Sequence, residues 1–129
     1  MDWLLKSEPE DYSFDDLTKE KKTVWNGVAN PVALKHLASM TKGDRLVVYH
    51  TGKERAAVGL ATVASAPTPD PKDEKLTVVE IAAGKRLASP VTLDAIKASP
   101  LFATSPLVKM GRLSVVPLTA EQYRFLTGG

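Results

Sequence analysis

The sequence predicts an α+β fold, a small mixed β-barrel or curved sheet of about five to six strands with short helices around it. Two patterns carry this reading. Short β-branched runs recur along the chain, and helix-start signals stand between them. The length adds a third constraint: 129 residues suit one core. No repeat, linker or low-complexity tract divides the chain, so residues 1–129 read as a single domain.

Trp3–Lys6 is the first strand candidate. Ser13, with Asp16 three residues on, forms a capping arrangement for a short helix through Leu17. Asn30-Pro31 opens a second helix, because Asn accepts orphan N–H bonds and Pro tolerates the first turn. Leu34, Leu37, Ala38 and Thr41 fall on one stripe of it, with Lys35 and His36 turned to solvent. Gly43 ends that helix, and Lys42-Gly43-Asp44 turns into the strand Arg45–His50. Ala57–Ala64 follows, where Gly59 marks a bulge or a close backbone approach. Ala66–Pro71 carries three prolines and reads as a loop, since each removes a donor. Leu76–Ile81 is β-branched and extended. Thr92 caps a helix through Ala98, Leu113–Leu118 is the last strand, and Thr119 with Gln122 boxes the C-terminal helix.

Charge and composition narrow the function classes. Apolar residues are 43% and charged residues 25%, the balance of a folded globular chain. No apolar run reaches the roughly 20 residues of a membrane span. Met1–Leu5 is followed at once by Lys6, Glu8 and Glu10, which is not a secretory signal. The absence of cysteine excludes disulfides and thiolate metal sites and fits a cytoplasmic protein. A net charge of +2 is too small for a protein that grips long duplexes through many phosphates. A nucleic-acid ligand would have to be held mainly by a local pocket.

Catalytic patterns are weak. No Ser-His-Asp order, metal-ligand spacing or phosphate-cradling glycine loop is present, and no cofactor is implied. His50 follows Tyr49 at a strand end, where side chains often rim a site, yet a lone histidine there is more often structural than catalytic. Glu8, Glu10 and Asp11 are close in sequence, but Pro9 leaves their aim undefined. Trp25 stands before the Asn26-Gly27 turn. It either covers the core from a loop or offers its flat face to a planar guest.

Several segments together resemble the EVE domain family. They are Trp3-Leu4-Leu5-Lys6-Ser7-Glu8-Pro9-Glu10, Tyr12–Leu17, Thr23-Val24-Trp25-Asn26-Gly27-Val28 with Asn30, and Gly43-Asp44 leading into Val48-Tyr49-His50-Thr51. Val58-Gly59-Leu60-Ala61, Pro90-Val91-Thr92-Leu93 and Gly111–Pro117 continue the match in order across nearly the whole chain. The resemblance implies a PUA-like barrel, related to YTH and ASCH domains. In YTH readers an aromatic cage holds a methylated adenine, and Lys6-Ser7 and Trp25 match segments that line it. Two departures stand out. Ala29 replaces an arginine common in the family, and Pro31 an aromatic residue.

The resemblance implies a non-catalytic domain that reads a flipped or single-stranded modified base, with modified cytosine in DNA favoured and RNA a second partner. The residues expected around the base are Trp3, Lys6, Ser7, Glu8, Trp25, Val28, Asn30, Tyr49, His50, Arg112 and Ser114. Trp25 stacks on the base in this reading. Ser7 and Asn30 bond its edge, Tyr49 and His50 form the opposite wall, Ser114 the floor, and Lys6 and Arg112 meet a flanking phosphate. Two rivals stay open: a small hydrolase or transferase using Glu8 or His50 at the same cleft, and a protein-interaction module with Trp25 packed inside. No membrane partner is expected, and nothing in the sequence sets an oligomeric state.

Overall fold

The computed structural model describes residues 1–128. Next to one edge of its sheet, β1 (Asp2–Ser7) pairs in parallel with β3 (Arg45–His50) and antiparallel with the edge strand β7 (Val115–Leu118). Beyond β3 come β4 (Ala56–Val63), the long β6 (Asp73–Thr92) and β2 (Lys22–Trp25), all antiparallel. β5 (Thr68–Asp70) pairs with the start of β6, off this row. The order β2-β6-β4-β3-β1-β7 leaves the sheet open: among the described residues β2 and β7 do not pair. The barrel expected from the sequence is thus a seven-stranded sheet with two free edges.

Trp3, Leu4 and Leu5 are all buried in β1. Such a continuous apolar run is what a strand covered on both faces requires. They join Phe14, Leu37, Ile81, Ile96, Phe102 and Leu126 in one apolar cluster. Four helices begin where the capping signals place them. α1 (Phe14–Glu20) has the Ser13–Asp16 box, and α2 (Pro31–Ala38) starts at Asn30, whose side chain accepts from the N–H groups of Val32 and Ala33 at 2.9 and 3.2 Å. α3 (Leu93–Ala98) starts at Thr92, and α5 (Ala120–Thr127) has the Thr119–Gln122 box. Between α3 and α5 lie a 3₁₀ turn (Pro100–Phe102) and α4 (Pro106–Lys109), both unforeseen. Each opens on a Ser-Pro pair whose serine accepts an N–H from Leu101 or Leu107. That is the same signal as Asn30-Pro31.

The other departures have local causes. β2 is only four residues long, and its first, Lys22, directly follows Lys21, so its pattern is too short to register as a strand. β5 tolerates Pro69 because an edge strand has one side free of ladder bonds. β6 runs well past Ile81 because Ala82 and Ala83 stay paired without giving an apolar alternation. α2 ends at Ala38, so its buried face is Ala33 and Leu37, followed by Met40 beyond the helix; Ala38 and Thr41 are exposed. His36 is not turned to solvent. Its ring lies 5.6 Å from that of Trp3, and burial, with help from Lys35, holds its pKa below the usual histidine value.

Gly59 meets both readings of its position. The β3–β4 register shifts beside it, and a Cβ there would collide with the Phe14 ring. Only a residue without a side chain lets α1 lie so close to the sheet.

Candidate functional site

The open edge of the sheet positions the main cleft. One wall comes from the edge strand β2 and the turn after it, Thr23 to Ala29. The other comes from the end of β1, Lys6 and Ser7, with Ser114, the residue just before β7. The backbone N–H of Lys6 donates to the Ser114 carbonyl at 2.9 Å, which extends the β1–β7 ladder to the cleft. Glu8, Asp11 and Tyr12, from the β1–α1 loop, complete the lining. The volume is about 460 Å³, inside the range of about 300–1,000 Å³ usual for small-molecule sites.

Trp25 ends β2, paired with Val79, and its indole meets the Tyr12 ring edge-on at 6.1 Å and 80°. It belongs to the apolar cluster and is only 8% exposed, yet it lines the cleft. Both sequence readings of this residue therefore hold in part: it covers the core, and it borders a hollow. Gly27, at φ +77°, turns the chain away immediately after it. Tyr12 is fixed by its hydroxyl, which donates to Glu20, and by its carbonyl, which accepts from the Ser7 hydroxyl. Burial, then the bond to Glu20, raises its pKa. Ser7 thus spends its proton on the loop backbone, leaving an oxygen as its polar offering to the cleft.

Charge is unevenly placed. Glu8 and Asp11 bring two carboxylates to the cleft, against one ammonium from Lys6. Glu8 makes only long contacts, 3.4 Å from the Glu10 N–H and 3.4 Å from the Thr51 hydroxyl, so its carboxylate keeps acceptor capacity. Lys6 donates to the Gly111 carbonyl at 2.8 Å and has no carboxylate partner among the described residues. Burial holds its pKa below the usual lysine value.

Of the residues expected around a ligand, Lys6, Ser7, Glu8, Trp25, Val28 and Ser114 converge on the cleft. The others lie elsewhere. Trp3 is buried, its indole N–H donating to Asp44 at 3.0 Å. Asn30 spends its side-chain oxygen on capping α2, and its neighbour Ala29 is the lining residue. His50 is 5% exposed. Its Nε2 accepts the Phe14 N–H at 2.9 Å and its Nδ1 faces Glu54 at 2.6 Å. Both nitrogens are occupied, and the ring lines neither the cleft nor the hollow beside it. Tyr49 lines that second, smaller hollow, and Arg112 is exposed and lines neither. Sequence reasoning missed Asp11, Tyr12, Thr23, Val24, Asn26, Gly27 and Ala29 as lining residues. Tyr12 had a signal: an aromatic residue in the loop directly after the strand that carries Lys6-Ser7. Among the described residues no group of three or more His, Asp or Glu side chains is placed to hold a metal ion. No helix among them is long and apolar enough to cross a membrane.

The EVE domain family profile matches residues 2–128. The chain belongs to the EVE domain family. A Rhodopseudomonas palustris protein is 40% identical, with a TM-score of 0.93 over 98% of this chain and 90% of its own. The human protein THYN1, solved in complex with DNA containing 5-methylcytosine, is 25% identical with a TM-score of 0.84, over 98% of this chain and 95% of its own. An ASCH protein from Zymomonas mobilis, 12% identical with a TM-score of 0.60 over 98% of this chain and 94% of its own, shares the fold. No curated protein matches the chain. The architecture is therefore the PUA-like α+β fold of EVE and ASCH domains, as the sequence resemblance implied.

Proposed function

We propose that this EVE domain is a non-catalytic reader that holds one modified cytosine of DNA, flipped out or single-stranded, in the cleft between β2 and the end of β1. The observation that carries the reading is Trp25, an indole bordering a hollow with room for a base at the unclosed edge of the sheet. The complex of human THYN1 with 5-methylcytosine DNA supports it.

Taking a base out of its stack costs a few kcal/mol. Stacking on an aromatic face returns roughly 1–3 kcal/mol, and the remainder must come from hydrogen bonds. Glu8 supplies the acceptor. A carboxylate accepts from the exocyclic amino group of cytosine and has nothing to offer the carbonyl that thymine carries there. The two carboxylates also repel phosphate, so the cleft suits a base and not the backbone. Trp25 is 8% exposed, so stacking on its full face requires the 26–29 turn to yield. The occupied nitrogens of His50 weigh against the hydrolase alternative at this site.

The test is binding of single-stranded oligonucleotides carrying cytosine, 5-methylcytosine or thymine at one central position. Trp25 is part of the core, so truncation to alanine risks unfolding by about 3–5 kcal/mol; Trp25→Phe and Glu8→Gln are the informative variants. The wild type should favour 5-methylcytosine over cytosine by about 1 kcal/mol, the worth of one buried methyl. Glu8→Gln should weaken both cytosine ligands by about 1–3 kcal/mol and hold thymine at least as well as the wild type, because the amide offers its carbonyl an N–H. Equal affinities for every ligand and variant would contradict the proposal.

A further inference from the structure

We propose that the second hollow is a phosphodiester subsite, which receives the backbone flanking the base held by the cleft; this rests on the base-reading proposal above. The hollow measures about 230 Å³ and is adjacent to the cleft, the two sharing Lys6. Its charged lining is Lys6, Arg55 and Lys97, with no carboxylate. Glu8 lines the cleft, its carboxylate lying against Thr51 and Gly52 at the border of the two hollows, and Glu54 meets His50 Nδ1.

The charge pattern is what separates the two hollows. The cleft holds two carboxylates and one ammonium, whereas its neighbour holds three cations. A nucleotide has a neutral base and an anionic link, and these two sites match those halves in turn. None of the three cations has a carboxylate partner among the described residues: Lys6 donates to the Gly111 carbonyl and Arg55 Nε to the Gly52 carbonyl at 3.1 Å. The half-buried Lys6 meets the Gly111 carbonyl and the Tyr49 ring, 5.8 Å from its ammonium, and neither neutralises its charge, which leaves attraction for an anion unspent.

Arg55 is placed by an unusual backbone. It is a non-glycine residue at φ +46°, a conformation that costs about 1 kcal/mol or more and persists only when its surroundings enforce it. They do so here, since its carbonyl accepts the Leu93 N–H at 2.8 Å, tying the turn to the start of α3. α3 in turn carries Lys97. One backbone bond therefore joins the two segments that carry the cations outside the cleft. Arg112, by contrast, lines neither hollow and has no part in this subsite.

The experiment uses the whole chain and the paired variant Arg55→Gln/Lys97→Gln, both positions being exposed. Binding of a single-stranded oligonucleotide with one central 5-methylcytosine is measured against salt. A second oligonucleotide carries neutral methylphosphonates in the links beside that base. Inorganic phosphate is titrated separately as a competitor. The paired variant should weaken both cytosine and 5-methylcytosine strands alike, and flatten the salt slope by about 0.7 for each phosphate it no longer neutralises. It should bind the methylphosphonate strand as well as the wild type does. Inorganic phosphate should compete only weakly, because a link in a strand arrives tethered to its base.

Unchanged affinity and slope in the paired variant would overturn the subsite while leaving base reading intact. A preference for cytosine bases over thymine lost in Glu8→Gln, and a methyl preference weakened in Trp25→Phe, with both kept in the paired variant, supports the division of labour. Strand binding with no preference among bases, yet sensitive to Arg55 and Lys97, would keep the subsite and sink the base reading. Absence of any strand binding overturns both. Strong competition by inorganic phosphate alone would reassign the hollow to a free anion and overturn the phosphodiester proposal.

Discussion

His50 holds the start of α1 to the sheet by accepting the Phe14 N–H, and its other nitrogen is spent on Glu54. Replacing it with alanine orphans a buried N–H, which costs about 1–3 kcal/mol. We expect His50→Ala to lower the stability of the fold by that amount while the folded protein keeps its affinity for a modified base. Lost binding at unchanged stability would return His50 to the ligand site. Asp44 makes a second residue-scale prediction. Burial pushes its pKa up, but bonds from the Thr41 N–H, the Trp3 indole and the N-terminal ammonium outweigh this and hold it below the usual aspartate value. A depressed carboxylate stabilises the fold above its unfolded pKa, and that stability is lost as pH falls through the folded value. Stability should therefore decline below about pH 4, and Asp44→Asn should be less stable at neutral pH with a shallower acid limb. Parallel pH curves for the two proteins would contradict this.

At the scale of elements, the caps and the bulge were legible because each is a local rule. Ser13, Asn30, Thr92 and Thr119 start helices where a side-chain oxygen meets orphan N–H groups. Gly59 was legible for the same reason, since a glycine inside a strand signals that something comes close. Here that something is the Phe14 ring, which occupies the space a Cβ would need. Gly59→Ala should cost about 1–3 kcal/mol by overpacking, measured by urea denaturation, and a neutral substitution would show that α1 can shift. What the sequence concealed was tertiary in origin. β2 is four residues long and stands only because β6 pairs with it. Tyr12 reaches the cleft only because the loop after β1 folds back, with the Asp11 and Tyr12 N–H groups donating to the Glu8 carbonyl.

At the scale of the molecule, the low net charge argues for a ligand held by a pocket, and the distribution of that charge sets two hollows apart. Acidic and basic hollows lie side by side, with Lys6 common to both. The family resemblance spread Trp3, Asn30, Tyr49, His50 and Arg112 around one imagined site. The fold disperses them because period-two alternation sends neighbours on a strand to opposite faces, and because a capping asparagine is already committed. Six of the eleven residues do meet, at the place where the sheet fails to close. The proposed base reading depends on that open edge.

The most direct test is a crystal structure with a short single-stranded DNA that carries one 5-methylcytosine. We expect that base in the cleft, beside Trp25 and with its amino group on Glu8, and the adjoining phosphate toward Arg55 and Lys97. A base lying outside the cleft while the strand is bound elsewhere would contradict base reading at this site.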